Sequence, residues 1–263
     1  MASKPISTGK PIHAEVHLTP LHLDELQLKD KNLVVIDVLR STSTMLTALA
    51  NGAKEFIPVG DIESAVKISG SLFGDVTLRG GERNGRMIEG FNLGNSPDEY
   101  KEQTVKGKSI IFMTSNGTPA IVRGRYAKNL VIAGFLNLSR VVDFLRSLNE
   151  DFAILCAGKE NKFALEDVVC AGKILVNLGK EIHASLVPDD GAVAAIALEK
   201  TFGKNILRML QECEHGRYLT EIGFAGDLRM CAQIDSHPVL PMLFGNLVRL
   251  KNDSLRASGK PGQ

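Results

Sequence analysis

The sequence lacks long apolar runs. No stretch of its 263 residues approaches the roughly 20 consecutive apolar residues that a membrane span needs. Residues 1–10 are polar, without the apolar centre of a signal peptide. No membrane partner is expected, and a cytoplasmic location follows as the default. Charge of one sign is missing as well. The 31 Lys and Arg against 30 Asp and Glu leave a formal net charge of +1, which offers nucleic acid no basic surplus. The four cysteines, Cys156, Cys170, Cys213 and Cys231, form no CxxC pair and no zinc-like spacing, so buried free thiols are expected. Familiar site motifs are absent too. There is no GxxxxGK[ST], no GxGxxG after the first strand and no HExxH. A Cys-x5-Arg phosphatase loop fails because Lys162 stands where arginine would be needed after Cys156. The six histidines, His13, His17, His22, His183, His215 and His237, are scattered, and none earns a ligand role by spacing.

What is present is a repeated pattern in a chain of ordinary globular composition, 44% hydrophobic and 23% charged. Residues 33–39 are apolar except Asp37 and rich in Val, which reads as a buried strand of a parallel sheet. A carboxylate near the end of such a strand must be paired, hydrogen-bonded or metal-bound. Arg40 and the hydroxyls of Ser41, Thr42, Ser43 and Thr44 follow, then a helical stretch at 45–50. Strand, polar turn and helix start is where α/β folds hold anions. The plainer reading pairs Asp37 with Arg40 and leaves Ser41 as a helix cap.

Further strands are predicted at 14–18, 55–59, 76–79, 108–113, 129–133 and 152–156, with helices at 61–71, 98–101, 119–125, 139–148 and 165–178. Their alternation predicts an α/β fold with a largely parallel sheet. Beyond Gly179 helices are predicted at 192–198, 206–212 and 218–222, one strand at 228–234 and a short extended piece at 239–241. The expected organisation is one compact unit over 13–255, or two lobes of one, between tails at 1–12 and 256–263.

Polar turns recur after the buried strands, at 37–44, 80–86, 114–118 and 156–161. The C-terminal ends of parallel strands share one edge, so these turns are expected to converge on one crevice. The first offers Asp37, Arg40 and hydroxyls. The second offers Glu82 among Arg79, Arg83 and Arg86, with glycines that admit close backbone approach. The third offers Asn116, Gly117 and Thr118 ahead of a helix, and the fourth Cys156, Gly158 and Lys159. Arginines beside carboxylates in a chain of almost no net charge point to a small anionic, phosphorylated substrate with a divalent metal between them. Taken singly, each turn also reads as ordinary turn chemistry. Glu82 and Arg83 read as a surface ion pair, and Glu166 and Asp167 as acids favoured at a helix start.

These stretches carry a resemblance. Asp37-Val38-Leu39-Arg40-Ser41-Thr42-Ser43-Thr44, Gly81-Glu82-Arg83, Gly90-Phe91-Asn92-Leu93-Gly94-Asn95-Ser96-Pro97, Thr114-Ser115-Asn116-Gly117-Thr118, Cys156-Ala157-Gly158, Glu166-Asp167 and Gly226-Asp227 resemble the 2-phosphosulfolactate phosphatase (ComB) family, over roughly residues 33–241. Asn84 stands where a glycine is common, and Asn92 where an aspartate is common. The resemblance implies a three-layer α/β/α fold with a largely parallel or mixed sheet and a Mg2+ cofactor. It implies hydrolysis of 2-phospho-3-sulfolactate to 3-sulfolactate and phosphate, a step toward coenzyme M.

With the residues above it gives a candidate site. Asp37, Arg40 and Glu82 are the catalytic candidates. Asp37 would hold Mg2+ with help from Glu82, Asp167 or Asp227. Substrate contacts would come from Ser41, Thr42, Arg79, Gly81, Arg83, Asn95, Ser96, Asn116, Gly117, Thr118, Cys156 and Gly158. Of the two candidate nucleophiles, Cys156 lacks the arginine of a thiol-phosphatase loop. Asp37 lacks the second acid of an aspartyl-phosphate enzyme, because Leu39 is there. A metal-activated water with Asp37 as ligand or base is therefore expected, with Cys156 packing at the floor. Alternatives are a phosphatase for another small phosphorylated hydroxy acid, and a non-catalytic binder of small anionic metabolites. The expected partner is a small phosphorylated and sulfonated substrate, with no nucleic acid and no membrane. A homo-oligomer is left open.

Overall fold

The computed structural model describes residues 10–71, 76–182 and 185–251. Of the tails expected at 1–12 and 256–263, residues 1–9 and 256–263 lie outside the described residues, and Ile12 already opens the first strand. In chain order the elements are β1 (Ile12–His17), β2 (Asn32–Ile36), α1 (Ser41–Ala50), β3 (Glu55–Pro58), α2 (Ile62–Ser71), β4 (Thr77–Arg83) and β5 (Arg86–Met87). Then come α3 (Glu102–Val105), β6 (Ser109–Met113), α4 (Gly117–Arg123), β7 (Asn129–Ala133), α5 (Leu138–Leu148), β8 (Phe152–Cys156) and α6 (Leu165–Glu181). The last third holds β9 (Leu186–Pro188), α7 (Asp190–Phe202), α8 (Ile206–Glu212), α9 (Glu214–Glu221), α10 (Ala225–Cys231), β10 (Pro241–Phe244) and β11 (Leu247–Leu250).

The strands form one mixed sheet in the order β5-β4-β6-β3-β11-β10-β7-β2-β8-β1-β9. β2 runs parallel to both neighbours, with Ile36 abreast of Ala133 and of Cys156. Every residue of β2, β6 and β8 is buried, as strands covered on both faces require. Alternate residues of β2 enter opposite layers. Val34 and Ile36 pack with α5–α10, whereas Leu33 and Val35 pack with residues of α1, α3 and α4. The result is a three-layer α/β/α fold. Among the described residues no helix is long and apolar enough to cross a membrane.

Two differences from the sequence reading shape the fold. Residues 228–234, expected as a strand, belong instead to α10 and the turn after it. Leu228 and Cys231 are buried three positions apart while Ile234 is exposed, so the spacing is helical. The extended piece at 239–241 leads into a hairpin, β10–β11, that the sequence reading missed. It enters the sheet antiparallel and joins a β4–β6–β3 half to a β7–β2–β8–β1 half, through Val248 opposite Phe56 and Met242 opposite Val131. Four strands thus separate β6 from β2, yet α4 packs against both β2 and β3. α4, which α1 also packs against, thus bridges the two halves, and the turns after β2 and β6 line one pocket. The helix expected at 98–101 is a shorter 3-10 turn, Pro97–Glu99, closed by a Ser96–Glu99 capping box.

Candidate active site

The four polar turns meet in one pocket of about 340 Å³ at the C-terminal edge of the parallel strands. The first turn supplies Asp37, Leu39 and Arg40, the second Glu82, Asn84 and Gly85, the third Ser115 and Asn116, and the fourth Lys159 and Glu160. Asn95 adds a wall, and His215 and Tyr218 close the pocket from α9. Tyr218 donates its hydroxyl to the Asn84 carbonyl at 2.9 Å, and Lys159 lies over its ring and 3.2 Å from Glu214. These contacts pin α9 to the second and fourth turns.

Asp37 is set by its own neighbours. The Thr42 backbone N–H and hydroxyl both donate to the Asp37 carbonyl, and the Asp37 N–H donates to the Thr42 hydroxyl. Thr42 therefore fixes the turn rather than reaching for a ligand. The Asp37 carboxyl meets the Ser41 N–H at the start of α1. A side chain at Gly117 would lie 2.6 Å from Asp37 Oδ2 and would strike the Ser41 hydroxyl, so only glycine lets α4 approach this closely. Ser41 Oγ and Asn95 Oδ1 are buried without a hydrogen-bond partner.

Charge is unevenly balanced. Asp37, Glu82, Glu166, Asp167 and Asp227 are all at most 6% exposed. Arg40, equally buried, is committed to Asp227 at 2.7 Å and to the Gly85 carbonyl, with its guanidinium stacked on Phe224. Asp37 is thus not paired with Arg40 as the plainer reading had it. Glu166 lies 3.3 Å from Nδ1 of His215. Glu82 and Asp167 are held by neutral donors instead. Glu82 accepts from the N–H groups of Ser115 and Gly85 at 2.7 and 2.6 Å. Asp167 accepts from those of Val38 and Gly158 at 2.8 and 3.0 Å. Burial lifts the Asp37 carboxyl to about 7, with Glu82 and Glu166 pushing the same way and His215 opposing. Burial and the Asp37 charge also raise Asp167.

Asp37, Arg40, Glu82, Asn95 and Asn116 line the pocket, and the other sequence candidates lie behind or outside it. Arg83 is exposed, and Arg79 lies over the Phe91 ring. The second turn is in fact the end of β4, so alternation along the strand turns Glu82 and Arg83 to opposite faces. Arg83 and Arg86 flank a two-residue Asn84-Gly85 turn with φ of 51° and 70°, the positive pair of a type I′ hairpin. Asn84 adopts this conformation at the position where the resemblance leads to an expected glycine. Asn92, in place of aspartate, accepts the Arg79 N–H at 2.8 Å, which either residue can do. The Gly81 N–H is spent on the carbonyls of Leu93 and Gly94, and the Gly158 N–H on Asp167. Ser96 donates to Asp227 at 2.7 Å, and Thr118 exchanges hydrogen bonds with Thr114. Cys156 is fully buried, and burial with the nearby Asp167 pushes its thiol well above the usual range. All four cysteines are free and buried.

Ser115, His215, Tyr218 and Glu160 were missed. Ser115 and Glu160 lie within the third and fourth turns, but nothing in their residue type sets them apart from ordinary turn residues. His215 and Tyr218 sit three apart on a helix with no motif to mark them. For a metal, no three His, Cys, Asp or Glu side chains among the described residues form a holding group. Asp37 and Glu82 on one pocket wall do suit magnesium, which takes one or two carboxylates and completes its shell with water and substrate oxygens. Asp167 and Asp227 do not line the pocket, and both carboxylate oxygens of each, like those of Glu82, accept hydrogen bonds within the fold.

Comparison with known proteins gives one consistent match. The family model described as 2-phosphosulpholactate phosphatase covers residues 17–246. Probable 2-phosphosulfolactate phosphatase of Caldanaerobacter subterraneus subsp. tengcongensis is 40% identical over 231 residues, 88% of this chain and 95% of that one. The similarly named proteins of Clostridium tetani and Thermotoga maritima are 36% and 38% identical, over 86% and 84% of this chain and 95% and 92% of theirs.

Proposed function

The chain belongs to the 2-phosphosulpholactate phosphatase family, and from that membership and the pocket we propose that it is a phosphoric monoester hydrolase acting on 2-phospho-3-sulfolactate. The observation that carries the reading is Asp37, a buried carboxyl lifted to about 7 where four polar turns meet. A binder of anions gains nothing from such a group, whereas a hydrolase needs a base or a cation ligand there.

Asp37 and Glu82 would hold Mg2+, which when bound would screen the phosphoryl oxygens from these acids. Lys159 and His215 would face the anionic groups of the substrate, with Asn95 and Asn116 as polar contacts. Asp37 would receive the proton of the attacking water. Hydrolysis to 3-sulfolactate in the cytoplasm, on a route toward coenzyme M, is the finest form of this proposal.

The test is phosphate release from a panel of phosphorylated 2-hydroxy acids that includes 2-phospho-3-sulfolactate, with EDTA treatment and Mg2+ add-back. Release that EDTA abolishes and Mg2+ restores is expected. Full turnover of the metal-free protein would remove the magnesium role. Binding without release across the panel would favour the non-catalytic reading.

A further inference from the structure

The pocket carries a histidine that sequence spacing gave no role. His215 lies in the first turn of α9 and lines the pocket opposite Asp37. Its Nδ1 is 3.3 Å from Oε1 of Glu166, whose side chain is 2% exposed, against 13% for His215. The negative charge of that buried carboxylate favours a proton on Nδ1, and Nε2 is then the nitrogen left for the pocket. The same logic orients the histidine of hydrolase triads. The remaining pocket groups are less free to donate. The Tyr218 hydroxyl proton is given to the Asn84 carbonyl. Arg40 is tied to Asp227 and Gly85, and Lys159 is drawn to Glu214.

We propose that His215, oriented by Glu166, is the catalytic acid that protonates the leaving oxygen of the substrate. The proposal rests on the phosphatase reading above. Water attacks phosphorus and forms the new P–O bond. The ester P–O bond breaks, and its electron pair stays on the oxygen of the hydroxy acid. That oxygen takes the Nε2 proton of the His215 imidazolium, which leaves a neutral imidazole with its Nδ1 proton toward Glu166; the water proton passes to a pocket carboxylate, and solvent reprotonates Nε2. Glu166 does not touch the substrate; it is a positioning residue.

The test compares two esters, 2-phospho-3-sulfolactate, whose alkoxide leaves poorly, and p-nitrophenyl phosphate, whose phenolate leaves without help. His215→Asn should lose about 10²–10⁴-fold in kcat on the first, the range of an acid–base group, and less than about tenfold on the second. Glu166→Gln keeps an oxygen for Nδ1 and should show the same contrast at smaller size, with KM unchanged. It carries the comparison if His215→Asn does not fold. Equal losses on both esters, or no loss on the alkyl ester, would overturn the acid role while leaving the phosphatase reading intact. Wild-type protein that turns over neither ester would overturn both.

Discussion

Two rims of the same sheet hold pockets of similar composition and opposite character. At the N-terminal rim a cavity of about 710 Å³ is lined by Lys10, Glu15, Lys31, Lys128, Glu150 and Asp151 among others. At the C-terminal rim the cavity is half that size, about 340 Å³, and holds Asp37, Arg40, Glu82 and His215. On the large rim Glu15 and Glu150 are partly exposed and each is beside a lysine. Lys31 pairs with Glu15, and Lys128 with Glu150 at 2.7 Å, at exposures between 35% and 51%. Around the small rim Asp37, Glu82, Glu166, Asp167 and Asp227 are buried, against Arg40 as the one buried lysine or arginine among the described residues. Volume therefore says little about which pocket works. Charge kept out of water without a counter-charge costs free energy, and a fold retains it where it has a use.

The largest effect should come from breaking the buried pair that the small rim does possess. Arg40→Ala leaves Asp227 buried beside Ser96 without its cation and strips Phe224 of its stacking partner. A loss of about 3–5 kcal/mol in urea unfolding is expected, the usual cost of removing one partner of a buried pair. The double variant Arg40→Met, Asp227→Leu should recover most of it, because neither charge then remains buried. If Arg40→Ala costs less than about 1 kcal/mol, the pair is effectively solvated and the contrast between the rims fails.

Next is Asp37, where stability and activity should move in opposite directions. Its carboxyl titrates near an ordinary 3.8 when unfolded and at about 7 when folded. Folding therefore favours the protonated form. The stability this group permits is fully present below pH 3.8 and is lost as pH rises through about 7. Asp37→Asn is neutral at every pH. In EDTA at pH 8 the variant should melt higher than wild type, by roughly 2–4 °C for each kcal/mol removed, and the two should converge near pH 4. Its phosphatase activity should fall at least about a hundredfold. Cys156→Ser, fully buried behind the pocket, should keep substantial turnover. A dead but folded Cys156→Ser beside an active Asp37→Asn would transfer the chemistry to the thiol.

The strand-turn-helix rhythm and the buried Asp37 were legible because both are local. So were the strands at 129–133 and 152–156, and the helix at 206–212, with the bounds the structure gives. What the sequence hid depends on distant contacts. Glu82 and Arg83 looked like one loop until β4 ran through them and split them between faces. Arg79 and Arg83, charged and near in sequence, are expected beside Arg40 at the anion site, yet the pocket is lined by Arg40, Lys159 and His215 and not by Arg79 or Arg83. Asp227 looked like a metal ligand at a strand start. It is in a helix, and its partner Arg40 is 187 residues away. The β10–β11 hairpin, which joins the two halves of the sheet, carries only eight residues in its strands.

The smallest effect belongs to the large rim, and it tests the comparison from the other side. Lys31 and Glu15 are 35% and 41% exposed. An exposed pair gains little Coulomb energy in water and gives up side-chain entropy to form. Lys31→Ala and Lys128→Ala should each change stability by less than about 1 kcal/mol and shrink further in salt, since exposed charges are screened. Neither should alter kcat, because both lie at the opposite end of the strands from Asp37. Urea unfolding at low and high salt beside a phosphate-release assay reads both quantities. A Lys31→Ala variant with tenfold lower turnover would mean that the larger cavity contributes to the reaction, and the site would have to be redrawn to include both rims.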